Sequence, residues 1–186
     1  TPLRLLYLDL VLRAYVAKYR EPMPVDGWAI HNFILNERSC EYYLDPAHRP
    51  PDYDGPEPYN GAYVCWGADI PPGINATDGL VIHLNELDKT GDINFFKAQI
   101  VRFRQWMADR GYANKPLYVT EFGILMPEDR GFPPARVSQY MIDAFNYLLT
   151  ATDARLGFSA DAQRLVQRFA WYSTQDATHN GSLFQS

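Results

Sequence analysis

Lys115-Pro116-Leu117-Tyr118-Val119-Thr120-Glu121-Phe122-Gly123 is an apolar, β-branched run that ends on a carboxylate followed by glycine. A strand that delivers Glu121 at its end sets a nucleophile or a general base where a ligand can reach it. The same string also suits a plain strand-to-loop junction with a solvated glutamate. Two further strand-like runs finish on groups of use to a site. Val25 to Phe33 carries His31 and Asn32 near its end, and Gln167 to Ser173 carries Trp171 and Tyr172. An imidazole or an amide beside a carboxylate holds it in one rotamer and favours its charged form. Flat aromatic faces edged by a polar tip stack on pyranose rings and serve equally as core filler. Trp28, inside its strand, is expected to fill the interior.

Other candidates lie between and after these runs. Trp66, in Cys65-Trp66-Gly67, is either a lid aromatic or loop packing. Asp176 and Asn180 follow the third strand and suit both the lining of a cleft and the forming of a turn. His48, His83 and His179 are scattered without metal-ligand spacing, and the chain has no Gly-rich phosphate loop and no Ser or Cys nucleophile motif. No metal and no cofactor is expected.

The elements that must position these residues alternate along the chain. Leu5, Leu8, Leu12, Tyr15, Val16 and Tyr19 step at three and four, which predicts a first helix with one buried face, ended by Pro22 and Pro24. After the strand from Val25 to Phe33 comes a long Pro-rich region from about Asn36 to Thr90, too long for a simple connector and read as one wall of a cleft. Asp92 is suited to N-cap a second helix with the stripe Ile93, Phe96, Ile100, Phe103 and Met107 and a stop at Gly111. The second strand runs from Lys115 to Leu125. A third helix starts at Pro134 and continues through Leu148, and Leu165 to Ser173 forms the third strand. Alternating helices and strands call for parallel strands joined by crossovers. There is no internal repeat and no linker, so residues 1–186 are read as one domain.

Composition narrows the partners. The 186 residues are 47% hydrophobic and 21% charged, which is globular. With 17 Lys+Arg against 22 Asp+Glu, the net charge of -5 argues against a nucleic-acid backbone partner. The 15% aromatic content, with 13 Tyr and 4 Trp, fits a neutral or polar ligand better. Arg4, Asp9, Arg13 and Lys18 break up the first apolar run before it reaches the roughly 18 residues of a membrane span. Cys40 and Cys65 either close the Tyr/Pro/Asp-rich loop between them as a disulfide or remain two thiols. With the sequon-like Asn75-Ala76-Thr77, a disulfide would favour an extracellular or cell-surface setting; the chain carries no signal peptide.

Three parallel strands with polar groups at their carboxyl ends suit part of a (β/α)8 barrel, which takes about 250 residues when complete. A small self-contained doubly wound sheet is the other architecture these elements allow. On the three strands the chain resembles the last three βα units, strands six to eight, of a retaining glycoside hydrolase of the (β/α)8 superfamily called clan A, with the long loop following strand six. The resemblance implies that residues 1–186 are the C-terminal part of such a catalytic domain. It implies that Glu121 is the nucleophile, that His31 and Asn32 orient it or bind sugar hydroxyls, and that Trp171 floors the subsite of the reacting sugar. Trp66, Tyr172 and Asn180 complete the expected substrate-binding set. The substrate would be a poly- or oligosaccharide cleaved by double displacement.

One departure bears on the chemistry. Retaining hydrolysis needs two carboxyl groups roughly 5 Å apart, and the clan's acid/base glutamate sits on a fourth strand that would precede Thr1. Asn36-Glu37 and Asn85-Glu86 imitate its Asn-Glu pair, but both fall in loop. The acid is therefore expected from the N-terminal half of the barrel, and that half or a partner chain would cover the exposed strand edges. A carbohydrate-binding protein that keeps the aromatic cleft without catalysis is the other function these residues suit.

Overall fold

The computed structural model describes residues 2–37, 47, 67–68, 70–75, 79–82, 84–175 and 181–183. The chain divides into two compact units, Thr1–Met23 with Leu35–Leu87, and Pro24–Ile34 with Asp88–Ser186. The first contains helix α1, Pro2–Tyr19. Only Leu3 of this helix is buried, while Val16 and Tyr19 are 46% and 51% exposed. The expected single buried face does not form because the apolar residues are not confined to one stripe: Leu6, Tyr7 and Leu10 fall between the predicted positions, so apolar side chains occur on every side of the helix, interspersed with Arg4, Asp9, Arg13 and Lys18.

Asn36 and Glu37 hold this unit's irregular backbone. The Asn36 amide donates to the Ile82 carbonyl and accepts from the Ile82 N–H. Glu37, 2% exposed, accepts from the Leu3 N–H at 3.2 Å with one oxygen and from the Leu80 N–H at 2.8 Å with the other. A Cβ at Gly79 would press on Glu37 and Leu3, which explains the glycine. The Asn-Glu pair is thus a backbone clasp, and a carboxylate so enclosed is not a proton donor to a substrate. A 3-10 helix, Leu84–Gly91, kinked at Glu86, leads from this unit into the second.

The second unit is built on three short parallel strands in the order β1-β2-β3: β1 Trp28–His31, β2 Leu117–Phe122 and β3 Arg168–Trp171. Between them run α2, Ile93–Asp109, and α3, Pro134–Thr150. Asp92 caps α2 by accepting from the Asn94 N–H at 2.7 Å, and Gly111 takes φ +80° just past its end. Pro at the first turn starts α3. Both helices pack on the face that carries Leu117, Val119 and Phe122. The Phe122 ring lies 5.3 Å from Phe96 of α2 and 5.9 Å from Phe145 of α3, and Trp28 packs edge-on against Phe103 and Trp106 of α2.

This is a small mixed α/β domain, not a section of an eight-stranded barrel. A barrel interior is filled by layers of bulky branched side chains. The face of this sheet turned away from α2 and α3 carries Ala29, His31, Thr120, Arg168 and Ala170, all exposed, and the half-buried Tyr118; Tyr118 aside, these are too small or too polar to form such layers. Nor is the unit doubly wound, since both of its long helices lie on one face. Among the described residues no helix is long and apolar enough to cross a membrane.

One buried cation ties the sheet to α2. Arg104 is 0% exposed. Its guanidinium donates to the carbonyls of Leu165 (2.6 Å), Lys115 (2.9 Å) and Arg164 (3.4 Å) and to Gln167 Oε1 (2.8 Å). Gln167 Oε1 also accepts from the Leu117 N–H, and its Nε2 donates to the Arg164 carbonyl. The entrances to β2 and β3 are therefore pinned to one side chain, whose pKa burial lowers to about 10. Replacing it takes the donor from the Leu165 and Lys115 carbonyls, each worth about 1–3 kcal/mol when buried. Arg104→Met is expected to lower stability by about 3 kcal/mol or more in urea unfolding, and a loss within 1 kcal/mol would refute the pinning.

The loop from α3 to β3 is held by carboxylates. Asp153 accepts from the N–H groups of Arg155 and Leu156, and these bonds put its pKa below the usual value of 3.8. A carboxylate with a lowered folded-state pKa contributes stability that is complete above the unfolded value and disappears as pH falls through the lowered one. Amide exchange at Arg155 and Leu156 should keep its protection from neutral pH down to about 4 and lose it only below that. Protection lost between pH 7 and 5 would contradict the assignment.

Candidate functional site

At the carboxyl end of the sheet, β1 and β2 bring His31 and Glu121 together. His31 pairs with Glu121 in the ladder, and its Nδ1 stands 3.3 Å from Glu121 Oε2. Both side chains reach solvent, at 59% and 39% exposure. Strict alternation would have pointed Glu121 to the same face as Leu117 and Val119, into the helices. The ladder slips instead: Ile30 pairs with Val119 and His31 with Glu121, which leaves Thr120 as an extra residue on β2. That bulge turns Glu121 outward and sends Phe122 into the core, where it is fully buried. Thr120 Oγ1 donates to the Ile30 carbonyl at 3.3 Å, and the Asn32 N–H donates to the Glu121 carbonyl at 2.8 Å, fixing the bulge on both sides.

The remaining candidates divide. Tyr172, 39% exposed, stands edge-on to Phe33 with ring centroids 6.0 Å apart, and Phe33 is 6.5 Å from the His31 ring. His31, Phe33 and Tyr172 thus form an aromatic rim continuing from the carboxylate. Asn32 is 1% exposed and donates through Nδ2 to the Phe96 carbonyl, bracing the end of β1 against α2. Trp171 packs on the helix side of the sheet, 5.4 Å from Phe122 and 6.3 Å from Phe145, and its indole N–H donates to the Gly181 carbonyl at 2.7 Å. Trp66 and Asn180 lie outside the described residues, as do Cys40, Cys65, His48, His83, Asp176 and His179.

Phe33 is the member of the rim that the motifs did not single out. Its position two residues after His31 puts both on one side of an extended chain, and that spacing was the available signal. Gly123 has a steric reason. A Cβ there would collide with the Tyr172 carbonyl oxygen, so the chain leaving β2 can pass beneath β3's end only without a side chain.

What the arrangement can do chemically is limited and definite. An ionised Glu121 beside an imidazole is suited to attack an electrophilic carbon or to accept a proton, with aromatic edges available to hold a ring. Among the described residues no three His, Cys, Asp or Glu side chains gather so as to hold a metal ion.

No family model, curated protein or solved structure matches the chain. Its function must be argued from the site itself.

The close passage at Gly123 gives a direct check of the geometry. Gly123→Ala should cost about 1–3 kcal/mol through overpacking and alter the near-ultraviolet signal of Trp171, whereas a neutral substitution would show that the two strand ends do not touch.

Proposed function

We propose that the carboxyl end of the sheet is a glycoside-hydrolysing site in which Glu121 attacks the anomeric carbon of a poly- or oligosaccharide. The observation that carries this reading is the bulge-directed contact between Glu121 and His31: a carboxylate turned out of a β-sheet and held by an adjacent donor. The resemblance of Lys115–Gly123 to the nucleophile strand of the clan A retaining hydrolases supports it. His31 orients the attacking oxygen, and Phe33 and Tyr172 border the sugar.

Double displacement also requires a proton donor roughly 5 Å from the nucleophile. Glu37, enclosed by backbone donors, is not suited to that role. The second reading, a carbohydrate-binding site without turnover, keeps the same rim and is favoured by the high exposure of the His31–Glu121 pair, since a nucleophile usually works from a drier site.

Dinitrophenyl 2-deoxy-2-fluoro glycosides separate the two, because their leaving group departs without protonation and the second carboxyl is not needed for trapping. Intact mass and peptide mapping should find a covalent sugar on Glu121. A folded chain that binds sugars but forms no adduct supports the binding reading, and one that neither binds nor reacts removes both. Glu121→Gln should abolish adduct formation while changing stability by less than about 1 kcal/mol, as expected of a half-exposed strand-end side chain.

A further inference from the structure

The opposite, amino-terminal end of the sheet carries a second group of side chains. A cleft of about 430 Å³ is lined there by Tyr118, Phe158, Asp161, Arg164, Gln167 and Arg168, with Pro116 and Ala160. Tyr118 and Arg168 are partners across β2 and β3 and face away from the helices, while Val119 and Phe169 beside them face inward. The cleft is therefore separate from the His31–Glu121 end, three residues further along β2, or about 10 Å of strand.

Its charges do not cancel. Arg164 Nη2 meets Asp161 Oδ2 at 2.7 Å, and Arg168 donates from Nη1 to the Gln167 carbonyl at 3.0 Å. Two guanidinium groups thus face one carboxylate, and most of the Arg168 fork is left for a ligand. Guanidinium forks match the planar oxygen pairs of carboxylate and phosphate. Two aromatic side chains share the lining, which adds an apolar wall for a ring.

The wall is also held stiffly. The Arg164 backbone bridges to both Thr152 and Phe158, and its carbonyl accepts from Phe158, Gln167 and the buried Arg104. Ala162 and Gln163 adopt left-handed φ values of 47° and 61°, unfavourable for side-chain-bearing residues. A Cβ at Gly157 would run into the Gln163 carbonyl, so this tight loop tolerates only glycine there. Strained backbone fixed around two arginines is the pattern of a preorganised binding loop.

We propose that this cleft binds a small oxyanion, a carboxylate or a phosphate, carried on a planar ring. Arg168 and Arg164 hold the oxygens, and Tyr118 and Phe158 flank the ring. Asp161 competes with the ligand for Arg164 and so limits the affinity for an anion.

Phenyl phosphate, benzoate and inorganic phosphate are the probes, followed by arginine Nε–H and glutamine side-chain resonances in the full chain. The two aryl anions should shift the Arg164, Arg168 and Gln167 signals saturably, and inorganic phosphate should bind roughly tenfold more weakly for want of the ring contact. Arg168→Gln, at an exposed position, should weaken phenyl phosphate by about tenfold or more with the amide spectrum otherwise unchanged. Asp161→Asn should tighten binding several-fold by removing the competing charge. If phosphate outranks benzoate the anion is a phosphoryl group, and the reverse order makes it a carboxylate. No saturable shift with either aryl anion, equal affinity for inorganic and phenyl phosphate, unchanged binding by a folded Arg168→Gln chain, or weaker binding by Asp161→Asn would each overturn the proposal.

Discussion

Arg104 is the constraint on which the sheet depends. A guanidinium taken out of water is costly unless every donor finds an acceptor, and here the acceptors are main-chain carbonyls at the entrances to β2 and β3 together with the Gln167 amide. Satisfying this cation fixes the relative height of the two strands. The same side chain stands behind Arg164, whose carbonyl it holds, so the polar edge of the domain is organised from its interior. Carbonyl dipoles suffice because they are already immobilised by the turns that carry them.

At the other end of the sheet, one extra residue on β2 does the corresponding work. Without the slip at Thr120, period-two alternation would bury Glu121 and expose Phe122, reversing which side chain meets solvent. The bulge is held by the Thr120 hydroxyl and by the Asn32 N–H, so the outward carboxylate is a property of paired strands and not of loop freedom. Asn32, buried against the Phe96 carbonyl, contributes through backbone position, while the rim itself is made by His31, Phe33 and Tyr172.

The helices and strands of this unit were legible in the sequence because their signals are local. Asp92 as a cap, the stripe from Phe96 to Met107 and the proline at the start of α3 each act within a turn or two. The proximity of His31 and Glu121 was legible as two polar groups at the ends of parallel strands. The strands proved shorter than their apolar runs, since Lys115, Pro116 and the residues after Phe122 lie outside the ladder. The barrel expectation failed because the pattern of three βα units says nothing about what fills the far face, and Ala29, Thr120 and Ala170 cannot fill a barrel. The register slip was invisible, being a relation between two strands far apart in sequence. Arg104 was visible only as a charge set four residues beyond Ile100 on an otherwise apolar stripe. Nothing local distinguishes such a residue from one that reaches water. On α1 the stripe did not become a buried face, because apolar residues also occupy the faces between.

The parallel arrangement has a consequence for the order in which the site is made. The contacts of Arg104 and Gln167 join residues 3 to 63 positions apart, whereas the Thr120 bond to Ile30 closes 90. Loop-closure entropy grows with the length enclosed, and pairing across the longest segment has the fewest prior contacts to lean on. The α2–β2–α3–β3 part can therefore assemble around its buried cation before β1 arrives. Glu121 then lies exposed on an unpaired strand edge until β1 docks, and the same step that seals that edge supplies its imidazole. Completion of the carboxylate site is thus tied to the least local event in the unit's folding, while the arginine-lined cleft belongs to its most local part.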